Sequence, residues 1–227
     1  MTKVLARAVL FDLDGVLVHS GAAVERSWSR WAHRHGLDAG TVLATCHGRR
    51  SVETIALVAP HLDAEEEAAA LESEQARDME GLAAGKGAAE LIAALDGAGE
   101  AAPVPWAIVT SGTRPLASAR LAAVGLPEPE VFVTAETLGK GKPDPEGYLT
   151  AARRLGVDAD GCVVVEDAEP GARAGHAAGA AVIGVAGGTL SGSEPTLSLF
   201  VGTLADLTVE RGPGSGTARI VAAGEQR

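Results

Sequence analysis

The chain has 227 residues, 46% of them hydrophobic and 22% charged, enough to bury one large domain or a domain carrying an insertion. Its 30 acidic against 19 basic residues give a formal charge of −11, which argues against nucleic acid or an anionic membrane as a partner. No stretch approaches the ~20 apolar residues of a membrane helix, the two cysteines (Cys46 and Cys162) lack metal-type spacing, and the N-terminus is charged too early for a signal peptide, so a reduced, cytoplasmic protein is expected.

Five short apolar runs read as buried strands, at 8–11, 106–109, 131–133, 162–165 and 181–185. They are continuous rather than alternating, which suits a parallel sheet covered on both faces. Between the last four lie helical patterns at 115–124, 145–155 and 170–178, each opening on proline and ending at Gly125, Gly156 or Gly179. Strand–helix alternation of this kind predicts an α/β fold with a doubly wound, Rossmann-like parallel sheet.

The stretch between the first two strands is too long for one crossover. Residues 17–85 hold only helical patterns, among them Val24/Trp28/Trp31 and the alanine- and glutamate-rich 63–79, and a helix near 87–95 leads back to Trp106. The expected organisation is an α/β core of 1–16 and 86–227 with an inserted α-helical domain, 17–85, joined through 16–20 and 82–86. The glycine-rich 212–216 reads as a turn or flexible segment, and 217–221 as an extra edge strand.

In open α/β sheets, ligands bind outside the carboxyl ends of the strands. The first strand ends in Asp12-Leu13-Asp14-Gly15, where period-two geometry aims both carboxylates one way. Alone, such a pair is most often a solvated turn; in use, it holds a divalent cation or a proton. The second strand ends in Thr110-Ser111-Gly112, either a helix N-cap or a phosphate seat of a hydroxyl and N–H groups. Lys142, in Gly139-Lys140-Gly141-Lys142-Pro143, is either a solvated charge or a point charge held for a phosphate. The fourth strand ends in Glu166-Asp167, whose ordinary role is to favour a helix N-terminus. Four such signals at four successive strand ends point to one site.

This ordered set resembles the haloacid dehalogenase superfamily over nearly the whole chain, with the insertion where its helical-cap members carry theirs. Val24-Glu25-Arg26-Ser27-Trp28, His47-Gly48-Arg49-Arg50, 106–113 and 163–171 look like its sugar- and polyol-phosphate phosphatases, including hexitol, 2-deoxyglucose-6-phosphate and glycerol-phosphate phosphatases. The resemblance implies a Mg2+-dependent phosphomonoesterase acting on a small phosphorylated sugar or polyol through an aspartyl-phosphate. Asp12 would be the nucleophile and Asp14 the acid and base. Mg2+ would be held by Asp12, the Asp14 carbonyl and Asp167, with Glu166 a direct or supporting ligand. Thr110, Ser111, Gly112 and Lys142 would bind the phosphoryl oxygens, and His47, Arg49 and Arg50 would face the substrate unless they form a solvated loop.

Two departures from the family stand out. His19, where relatives usually have aspartate and which with Ser20 marks the hinge entrance, is a candidate substrate residue whose change alters either substrate selection or hinge polarity. Lys86, where proline often stands, implies only a change in linker stiffness. The nearest rival is a β-phosphoglucomutase-like isomerase, which carries a histidine where this chain has Val24 and a G-x-x-R cap loop where it has Gly48-Arg49-Arg50. A dehalogenase lacks the second acid, Asp14. A catalytically silent regulatory protein of the same fold predicts loss of a motif residue, and none is lost.

Overall fold

The structure, a computed structural model, describes residues 3–97, 103–211 and 218–222. Strand β1 (Lys3–Ala6) runs into β2 (Ala8–Phe11), all four of whose residues are buried. The two-residue β3 (Val18–His19) leads into four helices, α1 (Gly21–Arg34), α2 (Ala39–Cys46), α3 (Ser51–Val58) and α4 (Ala64–Gln75). Then β4 (Ala83–Ala84) pairs antiparallel with β3, and α5 (Ala88–Asp96) follows. The remaining elements are β5 (Trp106–Val109), α6 (Arg114–Val124), β6 (Val131–Val133), α7 (Glu146–Arg154), β7 (Cys162–Glu166), α8 (Glu169–Ala177), β8 (Ala181–Val185), β9 (Leu199–Val201), β10 (Leu207–Arg211) and β11 (Ala218–Ala222).

Among the described residues the main sheet has six strands in the order β6-β5-β2-β7-β8-β9, every pair parallel. The five strands expected from apolar runs are all present. Period two sorts their side chains: Val9 and Phe11 of β2 pack with Leu91, Ile108 and Leu121, while Ala8 and Leu10 join Tyr148, Val164 and Ala172 on the other face. The sixth strand, β9, is too short and too closely flanked by polar residues to stand out in the sequence. Residues 217–221 were expected to form an edge strand; instead β11 is central in a separate antiparallel sheet, between β1 and β10. The 212–216 turn lies outside the described residues.

Helices α1–α4 enclose a third core of Trp28, Trp31, Ile55 and Leu71. The α1 stripe that buries Trp28 and Trp31 comes from spacing of three and four. The start of α4 is set by Asp63, whose carboxylate accepts the N–H groups of Glu65 and Glu66, and three glutamates follow in the first turn. The linkers are held by backbone bonds, with Gly85 N–H donating to Leu17 O (2.7 Å) and Ala205 N–H to Lys86 O (2.9 Å). Among the described residues no helix is long and apolar enough to cross a membrane.

Candidate active site

The chain passes from β2 outward to β5 and β6, then returns to lay β7, β8 and β9 on the other side. Its direction therefore reverses between β2 and β7, and the crevice at their carboxyl ends is where such a sheet takes a ligand. The register pairs Phe11 with Val165, and Asp12 N–H donates to Val165 O at 3.0 Å. Asp12 thus leaves β2 beside Glu166, the last residue of β7, and Asp167. Carboxylate oxygens of these three buried residues lie within 4.8 Å of one another.

Lys142, brought in by the loop before α7, sets its Nζ 2.6 Å from Asp12 Oδ1 and 2.6 Å from Glu166 Oε1. Burial opposes its charge, but the Asp12 and Glu166 carboxylates overcome that and hold the ammonium above its ordinary pKa. Burial pushes Asp12 up to about 7, against the pull of Lys142 and with the repulsion of Glu166 and Asp14. Asp167 is pushed up to about 9, by burial first and then by Asp12 and Glu166. With three carboxyl groups and one ammonium in a place water barely reaches, the repulsion is relieved either by protons on Asp12 and Asp167 or by a second cation.

The backbone has been cleared around these oxygens. Gly15 sits at φ +83°, and a Cβ there would lie 1.9 Å from Asp167 Oδ2. A Cβ on Gly188 would approach the same oxygen to 2.2 Å, and one on Gly171 would reach Glu166 Oε1 at 1.7 Å. A close-fitting, all-oxygen, anionic cradle fits a small hard divalent cation. Glu166 itself is fully engaged: Oε1 accepts from Lys142 and from the Tyr148 hydroxyl (2.6 Å), and Oε2 from the N–H groups of Asp167 and Ala168. It anchors the lysine more than it offers a free ligand oxygen.

Asp14 lies beside this cluster at the edge of a cavity of about 320 Å³. Its Oδ1 accepts from Ser20 Oγ at 2.6 Å and is 2.5 Å from Nη1 of Arg120, a buried cation on α6. Thr110, also buried, receives the Gly112 N–H on its hydroxyl, and Ser111 Oγ donates to Gly48 O across the cavity mouth.

A family model described as haloacid dehalogenase-like hydrolase matches residues 6–179. The chain belongs to that family. Hexitol phosphatase A of Escherichia coli K12 is 44% identical to this hydrolase over 210 residues, covering 91% of this chain and 95% of that protein. The 2-deoxyglucose-6-phosphate phosphatase 1 of Saccharomyces cerevisiae is 34% identical over 201 residues, 82% of each chain. Among solved structures, CbbY from Rhodobacter sphaeroides in complex with phosphate superposes with a TM-score of 0.76 at 25% identity, over 88% of this chain and 96% of that one.

The hydrolase brings Asp12, Asp14, Thr110, Ser111, Gly112 and Asp167 to the cavity wall, with His47 and Arg49 from the α2–α3 connection and the exposed His19 at the hinge. Lys142 and Glu166 do not line that wall but meet Asp12 and each other beside it, and Arg50 is not on it either. Its guanidinium turns away from the cavity and donates to Leu138 O (3.1 Å) and Gly139 O (3.3 Å). Several site residues escaped sequence reasoning: Tyr148 behind Glu166, Arg120 against Asp14, and the buried Glu72 and Gln75 on α4. Each lies within a helix, where a polar residue looks solvated. The only available signal was their position on otherwise apolar helix faces.

Proposed function

We propose that this hydrolase is a Mg2+-dependent phosphomonoesterase that cleaves small sugar or polyol phosphates through an aspartyl-phosphate on Asp12. The observation that carries the reading is the convergence of Asp12, Asp14, Lys142 and Asp167 at the reversal point of the sheet, at a cavity roofed by the inserted helices. Residues 17–85 act as the cap that excludes water and reads the leaving alcohol.

Asp12 attacks phosphorus in line, and the P–O bond to the alcohol breaks as Asp14 gives its proton to the leaving oxygen. Asp14 then takes a proton from the water that attacks the phosphorus of the acyl phosphate, which frees Asp12 and inorganic phosphate. A carboxylate is a weak nucleophile, so orientation and charge stabilisation must supply most of the barrier reduction. Lys142 lies against the nucleophile and balances charge on the transferring group, while Thr110 and the N–H groups of Ser111 and Gly112 are placed to receive phosphoryl oxygens. Asp12 and Asp167, with the Asp14 carbonyl, would hold Mg2+, whose contribution is to offset the repulsion between carboxylates and phosphate.

The cavity wall supports a hydroxyl-rich substrate. Glu72, Gln75, Ser51 and His47 offer polar atoms beside the apolar face of Trp28. Val24 also lines the cavity and offers no proton-transfer group for returning a phosphoryl to a second hydroxyl, which favours hydrolysis over a mutase reaction. Two buried, unpaired thiols suit a reducing cytoplasm. With Mg2+, the protein should release inorganic phosphate from a panel of hexose, deoxyhexose, hexitol, triose and cyclitol phosphates. Absence of turnover across that panel refutes the reading.

A further inference from the structure

The basic segment between α2 and α3 combines with the phosphate-side loops in a way its sequence did not foretell. The Arg50 side chain, 13% exposed, spans from α3 to the loop that ends in Lys142. Besides its two bonds to Leu138 O and Gly139 O, it pairs with Glu53 (Nε to Oε1 3.0 Å, Nη2 to Oε1 2.5 Å). The same Glu53 oxygen accepts the Gly141 N–H at 3.0 Å. The approach is close enough that a Cβ on Gly141 would fall 2.6 Å from Glu53 Oε2 and 2.8 Å from Arg50 Nε. From the core side, Glu146 of α7 accepts the N–H groups of Gly139 and Lys140, both at 2.9 Å. Residues 138–141 are therefore gripped from two sides, and the next residue is the lysine that touches Asp12.

The same stretch of inserted chain reaches the second phosphate-side loop. Gly48 O accepts from Ser111 Oγ at 2.9 Å, and Ser51 Oγ donates at 2.7 Å to Glu72. The other oxygen of Glu72 accepts the Thr113 N–H at 2.9 Å, just after Thr110-Ser111-Gly112. The Ser111–Gly48 and Thr113–Glu72 bonds tie the inserted helices to the loop after β5, while Ser51–Glu72 braces the inserted side.

From this geometry we propose that Arg50 and Glu53 form a latch through which closure of the inserted helices sets the position of Lys142. They are positioning residues for the phosphoryl side of the reaction, not readers of the leaving alcohol. The catalytic consequence rests on the phosphomonoesterase reading, whereas the latch itself does not. Because phosphate-side geometry and closure share these bonds, each stabilises the other. A misplacement of about 1 Å in such a site costs on the order of 100-fold in rate.

The test has two arms. Amide hydrogen exchange on the whole protein reads the latch directly: the Gly141 N–H should be protected in the wild type and exchange at least tenfold faster in Arg50→Ala. The kinetic arm compares a hexitol phosphate with p-nitrophenyl phosphate, whose leaving groups share no feature beyond the ester oxygen. Arg50→Ala should lower kcat/KM by the same factor for both, about 10- to 100-fold, and Arg50→Lys should recover part of the loss. Glu53→Gln, which keeps an acceptor for Gly141 but removes the charge, should give a smaller defect of the same pattern and serves if Arg50→Ala does not fold. A defect confined to the hexitol phosphate makes Arg50 a substrate reader and overturns the proposal, as does unchanged Gly141 exchange. If the wild type hydrolyses neither ester, the phosphomonoesterase reading fails while the exchange arm still decides the latch.

Discussion

Replacing Tyr148 by phenylalanine isolates the buried bond that anchors Glu166. The hydroxyl donates to Glu166 Oε1 at 2.6 Å, and the side chain is fully buried among core residues. Burial, reinforced by the Glu166 and Asp12 carboxylates, raises the phenol well above its ordinary pKa, so it remains a donor. Phenylalanine keeps the ring, its packing and its contact with the Lys142 ammonium, which lies 5.3 Å from the ring centroid. What disappears is one hydrogen bond from a neutral donor to a charged acceptor, worth about 1.5–3 kcal/mol. Lys142 still satisfies the same oxygen, which holds the loss to that range instead of the larger cost of an orphaned charge. Urea denaturation with an unchanged m-value should report that loss, and Tm should fall by roughly 2–4 °C per kcal/mol. Because Glu166 in turn holds Lys142 against Asp12, kcat should fall as well. A stability change below about 0.5 kcal/mol, within the range of an ordinary surface substitution, would show that Glu166 is held without Tyr148 and would refute the reasoning.

Lys142→Met should destabilise the protein by about 3–5 kcal/mol at pH 8, because it strands Asp12 and Glu166 without a cation; a neutral effect in the same denaturation assay contradicts the charge balance. Gly15→Ala forces a side chain into positive φ, at about 1–2 kcal/mol, and puts its Cβ 1.9 Å from Asp167 Oδ2. Mg2+ affinity, measured by calorimetry, should drop by more than the fold stability does, and unchanged affinity argues against Asp167 as a ligand. Asp12 and Asp167, with pKa values raised from 3.8 to about 7 and about 9, favour the metal-free fold when protonated. Their contribution is present below about pH 4 and lost as pH rises through those values. A bound divalent cation needs both ionised, so the gain in Tm on adding Mg2+ should widen from pH 5 to pH 8. A gain independent of pH contradicts this.

The strand-end motifs were legible because a parallel sheet buried on both faces must be written in short apolar runs, and each run points to the residues that follow it. Asp12, Thr110 and Glu166-Asp167 sit at or just beyond such ends, and Lys142 follows β6 on the longer loop before α7, in the order the chain meets them. Arg50 and Tyr148 show where that legibility stops. A basic residue in an interhelical loop reads the same whether it faces a substrate or a neighbouring loop, because the choice depends on carbonyls 88 and 89 residues further along the chain. Tyr148 sits among apolar residues at helical spacing, and only the burial of Glu166 beside it gives its hydroxyl a role. The antiparallel sheet of β1, β10 and β11 was obscured because its partners come from opposite ends of the chain.

The measurement closest to the central claim is a search for the covalent intermediate. The protein is mixed with Mg2+ and a hexitol phosphate, quenched in acid during turnover, and digested for peptide mass spectrometry. The account predicts that the peptide containing Asp12 gains the mass of one phosphoryl group, and that this gain and the release of inorganic phosphate both vanish in Asp12→Asn. Phosphate release that persists in Asp12→Asn, or a phosphoryl group trapped on another residue, contradicts it.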